Sequence, residues 1–448
     1  MPTALDFRTR PGAPPANFGT NGGTRPPAPA ENGFRLLAHL PPGGGWTSLA
    51  EHRTRYPAPP AATSRPLTAL IDEIERAGLR GRGGAGFPTA TKMRSVASGR
   101  ARPIVVANAT EGEPASYKDK LLATVQPHLI IDGALYAAAA VGADQVLIGV
   151  DRTAPAAVAA LRRALDERAR VERSGVTVQV VETPPGYVSG EESALVHFLN
   201  GGAALPTASP PRPFERGVAK RPTLVNNVET LAHVAQIATR GATWFRSAGS
   251  PDEPGTMLVS VSGAVARAGV AEVALGTPLA RIIEQACPTT PAAAALVGGF
   301  FGTWVPASGF SAPLSRAGLT PLGAAPGAGV LIVLPEGACG LAETAAVLRW
   351  YAAEGAGQCG PCAFGLPALA AEAAALAHGP VPAQGLGRLQ RWGGEIEGRG
   401  ACKHPDGAVR LLRSALRIFA ADADAHLHRR PCRGSLGGRV IPVPGPRR

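Results

Sequence analysis

No apolar run in this chain is long and clean enough to suggest a bilayer span. The most apolar stretch, 129–150, is interrupted by Asp132, Gly142 and Asp144 and reads as helix, turn and buried strand. The opening residues, MPTALDFRTRPGAPP, contain no apolar core of a signal peptide. Cysteine is scarce. Six in 448 residues cannot staple a chain of this length, which excludes a disulfide scaffold and points to a reducing, cytoplasmic setting. Aromatics make up only 5% of the chain, and none interleave with a run of Lys or Arg. A nucleic-acid partner is therefore not expected, despite the net charge of +12. The excess positive charge is assigned to solvated surface and to sites for anionic cofactors.

Glycine and proline are plentiful, at 56 and 44 residues. Residues 1–33 are rich in Pro, Gly, Ala and Asn without periodicity, and 34–65 hold short apolar pieces between breaks. The whole of 1–65 reads as a Pro/Gly-rich extension, largely disordered. The chain then organises around GLRGRGGAGFPTATK, 78–92. Its glycines lack Cβ atoms, so the backbone can approach a ligand closely, and its exposed N–H groups with Arg80 and Arg82 suit a phosphate. Gly81, Gly83 and Gly86 fit G-x-G-x-x-G, but the preceding residues have apolar positions at helical spacing. The ordinary dinucleotide fingerprint requires a strand there. A phosphate loop of another kind is the better reading, with a flexible surface loop as the bland one.

Further along, PIVVAN (103–108) is a short buried strand delivering Asn108, Thr110, Glu111 and Glu113 at its carboxyl end, where open α/β sheets bind ligands. A single helix is expected over 118–143, then strand 145–150, helix 153–172 and strand 176–182. That alternation predicts a mainly parallel sheet. The last strand leads to Tyr187, Ser189, Gly190, Glu191 and Glu192, whose carboxylates would suit the first turn of a helix. PTLVNNVETL (222–231) follows a Pro-rich loop containing Phe214. Its Asn226 and Asn227 offer donors and acceptors to a ring edge, or a helix N-cap. From 256 the pattern becomes a hairpin and a helix, then strands near 296–306 and 329–335. A helix over 340–353 precedes Cys359 and Cys362, with Cys402 later and an amphipathic helix over 408–421. The CGPC pair also fits a redox dithiol, but that motif belongs between strand and helix. Cys287 reads as a buried thiol and Cys432 as a tail thiol.

These motifs, in this order, resemble the flavoprotein subunit of respiratory complex I and the related diaphorase subunits of hydrogenases and formate dehydrogenases. The resemblance covers roughly 66–420 and implies an α/β Rossmann-like FMN-binding domain, a small β-grasp domain and a C-terminal helical bundle. The implied boundaries are 66–255 for the FMN/NADH domain, 256–335 for the β-grasp (SLBB-like) domain, 336–425 for the helical iron–sulfur domain, and 426–448 for a basic tail. It implies FMN, NADH and a [4Fe–4S] cluster as cofactors. Gly81, Arg82, Gly83, Gly84, Phe87, Lys92, Asn108, Glu111, Tyr187, Gly190, Glu191, Phe214, Asn226, Asn227 and Thr230 would bind FMN and NADH, with Glu113 and Glu192 catalytic. Cys359, Cys362 and Cys402 would hold the cluster.

Three departures stand out. Thr110 occupies the usual Asp position, Ser189 a Cys position, and Ala356 the position of the first cluster Cys. His404 and Cys339 are candidate substitutes for that fourth ligand. The implied activity is NADH dehydrogenation onto FMN, with single electrons passed through the cluster to a ferredoxin-like or other one-electron acceptor protein. The departures suggest a divergent, free-standing member. The alternatives are a diaphorase subunit or a scaffold that has lost its cofactors.

Overall fold

The computed structural model describes residues 34–38, 40, 45–61, 67–172, 174–379, 384–432, 434 and 438–445. Residues 1–33, expected to be disordered, lie outside the described residues. Among those described, no helix is long and apolar enough to cross a membrane.

The first layer begins with α1 (Leu49–Arg53), α2 (Thr68–Ala77) and α3 (Thr89–Ala97). α2 buries Ile71, Ile74 and Ala77 on one face and stops at Gly78, whose φ of +72° is the left-handed helix cap that favours glycine. Then come β1 (Ile104–Ala109), α4 (Lys118–Val125), α5 (Pro127–Val141), β2 (Gln145–Asp151), α6 (Pro155–Ala169) and β3 (Thr177–Thr183). The single helix expected over 118–143 is two. Pro127 has no N–H to donate and so opens a new helix. α5 is buried on every side, as its composition requires. The layer finishes with α7 (Glu192–Leu199), β4 (Thr223–Asn227) and α8 (Val228–Arg246).

The four strands form an all-parallel sheet in the order β3-β2-β1-β4. The chain runs outward from β1 through β2 and β3, then returns to the other side of β1. The topological switch point, where open α/β sheets bind ligands, therefore lies between the carboxyl ends of β1 and β4. Register pairs Asn108 with Asn227 across it.

The second layer holds β5 (Thr256–Gly263), β6 (Gly269–Ala274), α9 (Leu279–Gln285), β7 (Ala292–Val297), β8 (Thr303–Pro306), α10 (Arg316–Leu319) and β9 (Val330–Pro335). Its mixed sheet is ordered β6-β5-β9-β7-β8. Helices follow: α11 (Gly340–Glu354), α12 (Leu366–His378), α13 (Gly385–Ile396), α14 (His404–Ile418) and α15 (Ala420–Leu427). A π-helical turn, Pro361–Gly365, connects α11 to α12.

At the amino end the described residues correct the sequence reading. Leu36 and Leu37 are core residues, and the N–H groups of Arg35, Leu36 and Leu37 all donate to the buried carboxylate of Glu272 at 2.9 Å. The guanidinium of Arg35 stacks 4.0 Å over Trp244. The segment is held by one anion and one aromatic face far along the chain, so no local pattern reveals it. At the other end the basic tail is anchored. The N–H groups of Val440 and Ile441 donate to Glu343 at 2.8 and 3.0 Å, and Ile441 is buried.

Candidate functional site

The Gly-rich loop lies over the switch point. Gly81 N–H donates to the Phe87 carbonyl at 2.9 Å, which closes the loop. Gly84 and Gly86 have φ of +117° and +62°. A Cβ on Gly83 would come within 3.2 Å of the Asn227 Cβ, so the bare backbone rests directly on β4.

Below the loop the asparagines divide their work. Asn108 donates to the Gly190 carbonyl at 3.0 Å and accepts from Thr110 N–H at 3.0 Å. Asn227 caps α8, accepting from Glu229 N–H at 3.0 Å, and donates to Asp119 at 2.7 Å. Asn226 Nδ2 is buried with no protein partner. Lys92 Nζ lies 2.7 Å from the Val225 carbonyl and 2.9 Å from Glu192.

Other loop residues turn elsewhere. Arg82 is buried, its Nε donating to the Thr256 carbonyl at 3.2 Å and lying 4.0 Å from Glu229. In this structure the guanidinium turns toward the Glu229 carboxylate and into the protein. Its backbone N–H donates to Thr230 Oγ1 at 2.8 Å. Phe87 is 53% exposed at the loop's tip. Phe214 is half-buried against the core of the first layer.

The four predicted acids separate into two braces and two freer groups. Glu111 accepts from the N–H groups of Asp119 and Lys120 at 3.2 and 3.0 Å, which ties down the start of α4. Glu191 caps α7, accepting from Ser193 and Ala194 N–H at 2.9 and 3.1 Å. Glu192 pairs with Lys92 and is partly exposed. Glu113 is buried and accepts from Phe300 N–H at 2.9 Å. A Cβ on Gly299 would lie 2.7 Å from its carboxylate, so this approach needs glycine.

Burial pushes the Glu113 carboxyl up to about 7, against the pull of the Phe300 and Ala115 N–H groups. A carboxyl raised in the fold favours folding below its unfolded value near 4.5, and that advantage disappears as pH rises through 7. Glu113→Gln is therefore expected to melt higher than the natural chain at pH 8, by at most roughly 3 kcal/mol, and equally at pH 4. Thermal melts at both pH values check this.

Sequence reasoning missed the ionic floor of the site. Lys118 Nζ is buried 2.8 Å from both Asp119 and Glu229. Its only sequence signal is a lysine at the start of a helix shortly after Glu113, which is commonplace.

An aromatic bridge leads to the cysteines. Tyr187 OH meets Tyr351 OH at 3.1 Å. The Tyr187 ring is 5.1 Å from Trp350 and 5.4 Å from His404. Beyond it Cys359, Cys362 and Cys402 converge. Burial raises the Cys362 thiol, against the pull of the Gly357 and Ala356 N–H groups. Burial raises the Cys402 thiol, and Cys362 and Cys359 push the same way.

His404 backs this group. Nε2 is 2.9 Å from the Tyr351 carbonyl, so it carries the proton, while Nδ1 is buried with no partner. Cys339 is excluded as the fourth ligand, because it caps the opposite end of α11, about 22 Å from Ala356 at the helical rise. Cys359 and Cys362 follow α11 rather than a strand, which disfavours a thioredoxin-like setting. Cys287 is partly exposed, not buried, and the tail thiol Cys432 meets Cys339.

Comparison with known proteins gives a consistent result. A family model described as "Nuo51 FMN-binding domain" matches 74–236, and one described as "NADH-ubiquinone oxidoreductase-F iron-sulfur binding region" matches 339–426. The second NADH-quinone oxidoreductase F protein of Rhizobium meliloti is 29% identical over 411 residues, covering 89% of this chain and 96% of that one. The corresponding protein of Streptomyces coelicolor is 32% identical over 385 residues, covering 81% and 84%. An NAD+-reducing [NiFe]-hydrogenase in the H2-reduced state superposes with a TM-score of 0.74 at 34% identity. The match covers 80% of this chain but only 62% of the hydrogenase chain. A glycine loop over a parallel switch point, joined through paired tyrosines to three converging thiols, thus occurs in a chain that belongs to the NADH-quinone oxidoreductase F family.

Proposed function

We propose that the chain oxidises NADH with FMN bound at the switch point and sends electrons singly, through a cluster held by Cys359, Cys362 and Cys402, to a separate one-electron carrier. The observation that carries this is the place of Tyr187. Its backbone packs against Gly112 just beyond the end of β1, its hydroxyl meets Tyr351, and its ring faces His404 beside the thiols. One residue therefore links the two sites. The cofactors fit the residues present: Asn226 keeps an unpartnered buried donor, the loop over Asn227 has no Cβ, and three thiols converge.

In this reading the first layer is the Rossmann-like FMN/NADH domain (66–255), the mixed sheet a β-grasp module (256–335) and the helices the iron–sulfur bundle (336–425). The N–H groups of Gly83 and Gly84 receive phosphate and ring, while Asn226 and Lys92 offer donors to the same ligand. Glu113, close to half-protonated at neutral pH, holds a proton or accepts a hydrogen bond at the nicotinamide end. Glu192 orients Lys92. Phe301, packed near Gly84, and Tyr187 exclude water between the sites. When bound, FMN supplies two-electron uptake with one-electron release. The protein's part is largely orientation. Ala356 leaves the cluster with three thiolates.

A ferredoxin-like protein is the proposed acceptor. A second reading, a diaphorase subunit, draws on the hydrogenase likeness, and co-purification with a large metal-bearing subunit would favour it. The decisive experiment is an anaerobic absorbance spectrum of protein supplied with FMN and iron. Flavin bands over a broad shoulder, bleaching on NADH, are expected. A protein that stays colourless overturns the proposal.

A further inference from the structure

At the amino end of α11, remote from the cysteine trio, three soft ligand atoms meet. The sulfurs of Cys339 and Cys432 and Nε2 of His426 all lie within 4.8 Å of one another, with Cys339 Sγ and His426 Nε2 at 3.8 Å. We propose that Cys339, His426 and Cys432 bind a zinc ion, a second metal site that pins the C-terminal segment to the helical bundle.

The chemistry is right for zinc. Two thiolates and a neutral imidazole form a soft set with no redox demand, and they balance a divalent cation to zero net charge in a half-buried place. Ligand atoms of a tetrahedral zinc stand about 3.5 Å apart given bonds of about 2.0–2.3 Å, so closure onto the ion needs only a small contraction. The fourth position is open to water.

The surroundings orient the ligands. His426 Nδ1 lies 2.8 Å from the Leu376 carbonyl. That contact puts the ring proton on Nδ1 and leaves the Nε2 lone pair facing the sulfurs, the outer-shell arrangement usual for metal-bound histidine. Cys339 Sγ accepts from Ala342 N–H at 3.4 Å, and Cys432 Sγ from Gly434 N–H at 3.3 Å. Both bonds favour thiolate. The chain past Cys432 lies against α11 so closely that a Cβ on Gly434 would stand 2.3 Å from the Cys339 Cβ. Glu343, one turn along α11, clamps Val440 and Ile441. The ion would complete that anchor. A disulfide between Cys339 and Cys432 is the rival state and would leave the oriented imidazole without a ligand.

The test uses the untagged full-length protein grown with zinc, with metals counted by mass spectrometry after gel filtration. About one zinc per chain is expected. Cys432→Ser and His426→Gln should each lower it at least tenfold and leave the iron-to-chain ratio unchanged, whereas Cys402→Ser should lower iron and keep the zinc. Chelation should speed proteolysis within 428–445 in the natural chain and not in Cys432→Ser. Zinc retained by both ligand variants overturns the proposal. So does zinc-free protein, whether intact mass shows the 339–432 disulfide or both thiols free. None of these readouts depends on flavin or NADH, so the proposed activity can fail independently.

Discussion

Replacing Asp132 with alanine is expected to destabilise the protein by about 3–5 kcal/mol, the usual cost of breaking a buried ionic network by removing one partner. Asp132 is fully buried in α5, a helix buried on every side. Its carboxylate receives His52 Nε2 at 2.6 Å, Arg53 Nη1 at 2.7 Å and Arg168 Nη2 at 2.7 Å. Those donors come from α1 and α6, so one side chain joins three elements. Glu172 also contacts both arginines, but alone it cannot balance two cations at a buried site. Burial by itself would raise the Asp132 carboxyl. The bonds from His52 and Arg53 and the charge of Arg168 outweigh it and hold the group well below the usual carboxylate range. A carboxyl depressed in the fold stabilises above its unfolded value near 4 and loses that contribution as pH falls. The gap between natural chain and variant should thus be widest at neutral pH and narrow below pH 4. Urea midpoints at pH 7 and pH 3.5 check this. Faster proteolysis within 45–60 should accompany the loss, because α1 is held through this contact. An unchanged midpoint at pH 7 would remove Asp132 from the stability argument.

The second large effect is expected at Lys118→Met, with a stability loss of the same order and a loss of bound flavin. Lys118 is the cation between Asp119 and Glu229. Burial alone would lower its ammonium, but the two carboxylates hold it above its ordinary value. Methionine leaves two buried acids facing one another, with Arg82 4.0 Å from Glu229 as remaining compensation. Burial already pushes Asp119 up to about 6 in the natural protein, and loss of Lys118 drives it higher. The variant's deficit should therefore shrink at pH 5 and grow at pH 8, through a carboxyl that is raised where that of Asp132 is depressed. The consequence reaches the site by a short route. Asp119 receives Asn227 Nδ2 at 2.7 Å, Asn227 caps α8, and Gly83 rests on Asn227. FMN per chain after gel filtration is expected to fall at least tenfold, equivalent to about 1.4 kcal/mol of binding. Full FMN retention would show that the ionic floor does not shape the loop.

What can be read from sequence follows the range of the signal. The strand reaching Asn108 and the hairpin after residue 256 are short apolar runs bounded by breaks, and α14 carries a 3.6-residue period, signals that side chains a few positions apart impose directly. The Gly-rich loop is legible because only missing Cβ atoms permit its positive φ and its contact with β4. The break at Pro127 is equally local and still hard to see, since α4 and α5 share an apolar pattern across it.

The remainder belongs to tertiary structure. No local pattern says which acid the Arg82 guanidinium will approach, and Glu229, 4.0 Å from it, is distant in sequence. Glu111, Glu113, Glu191 and Glu192 look alike as letters; two became helix braces because free N–H groups arrived beside them, and Glu113 became a perturbed acid because water was excluded. His404 sits two residues after Cys402, yet the Tyr351 carbonyl decides which of its nitrogens is free. Most elements, the loop and the family are thus written in patterns that each segment carries alone. Which acids titrate, where the ends of the described chain dock and which thiols meet are settled by folding, because burial and charge pairing are properties of neighbours that the chain brings from far away.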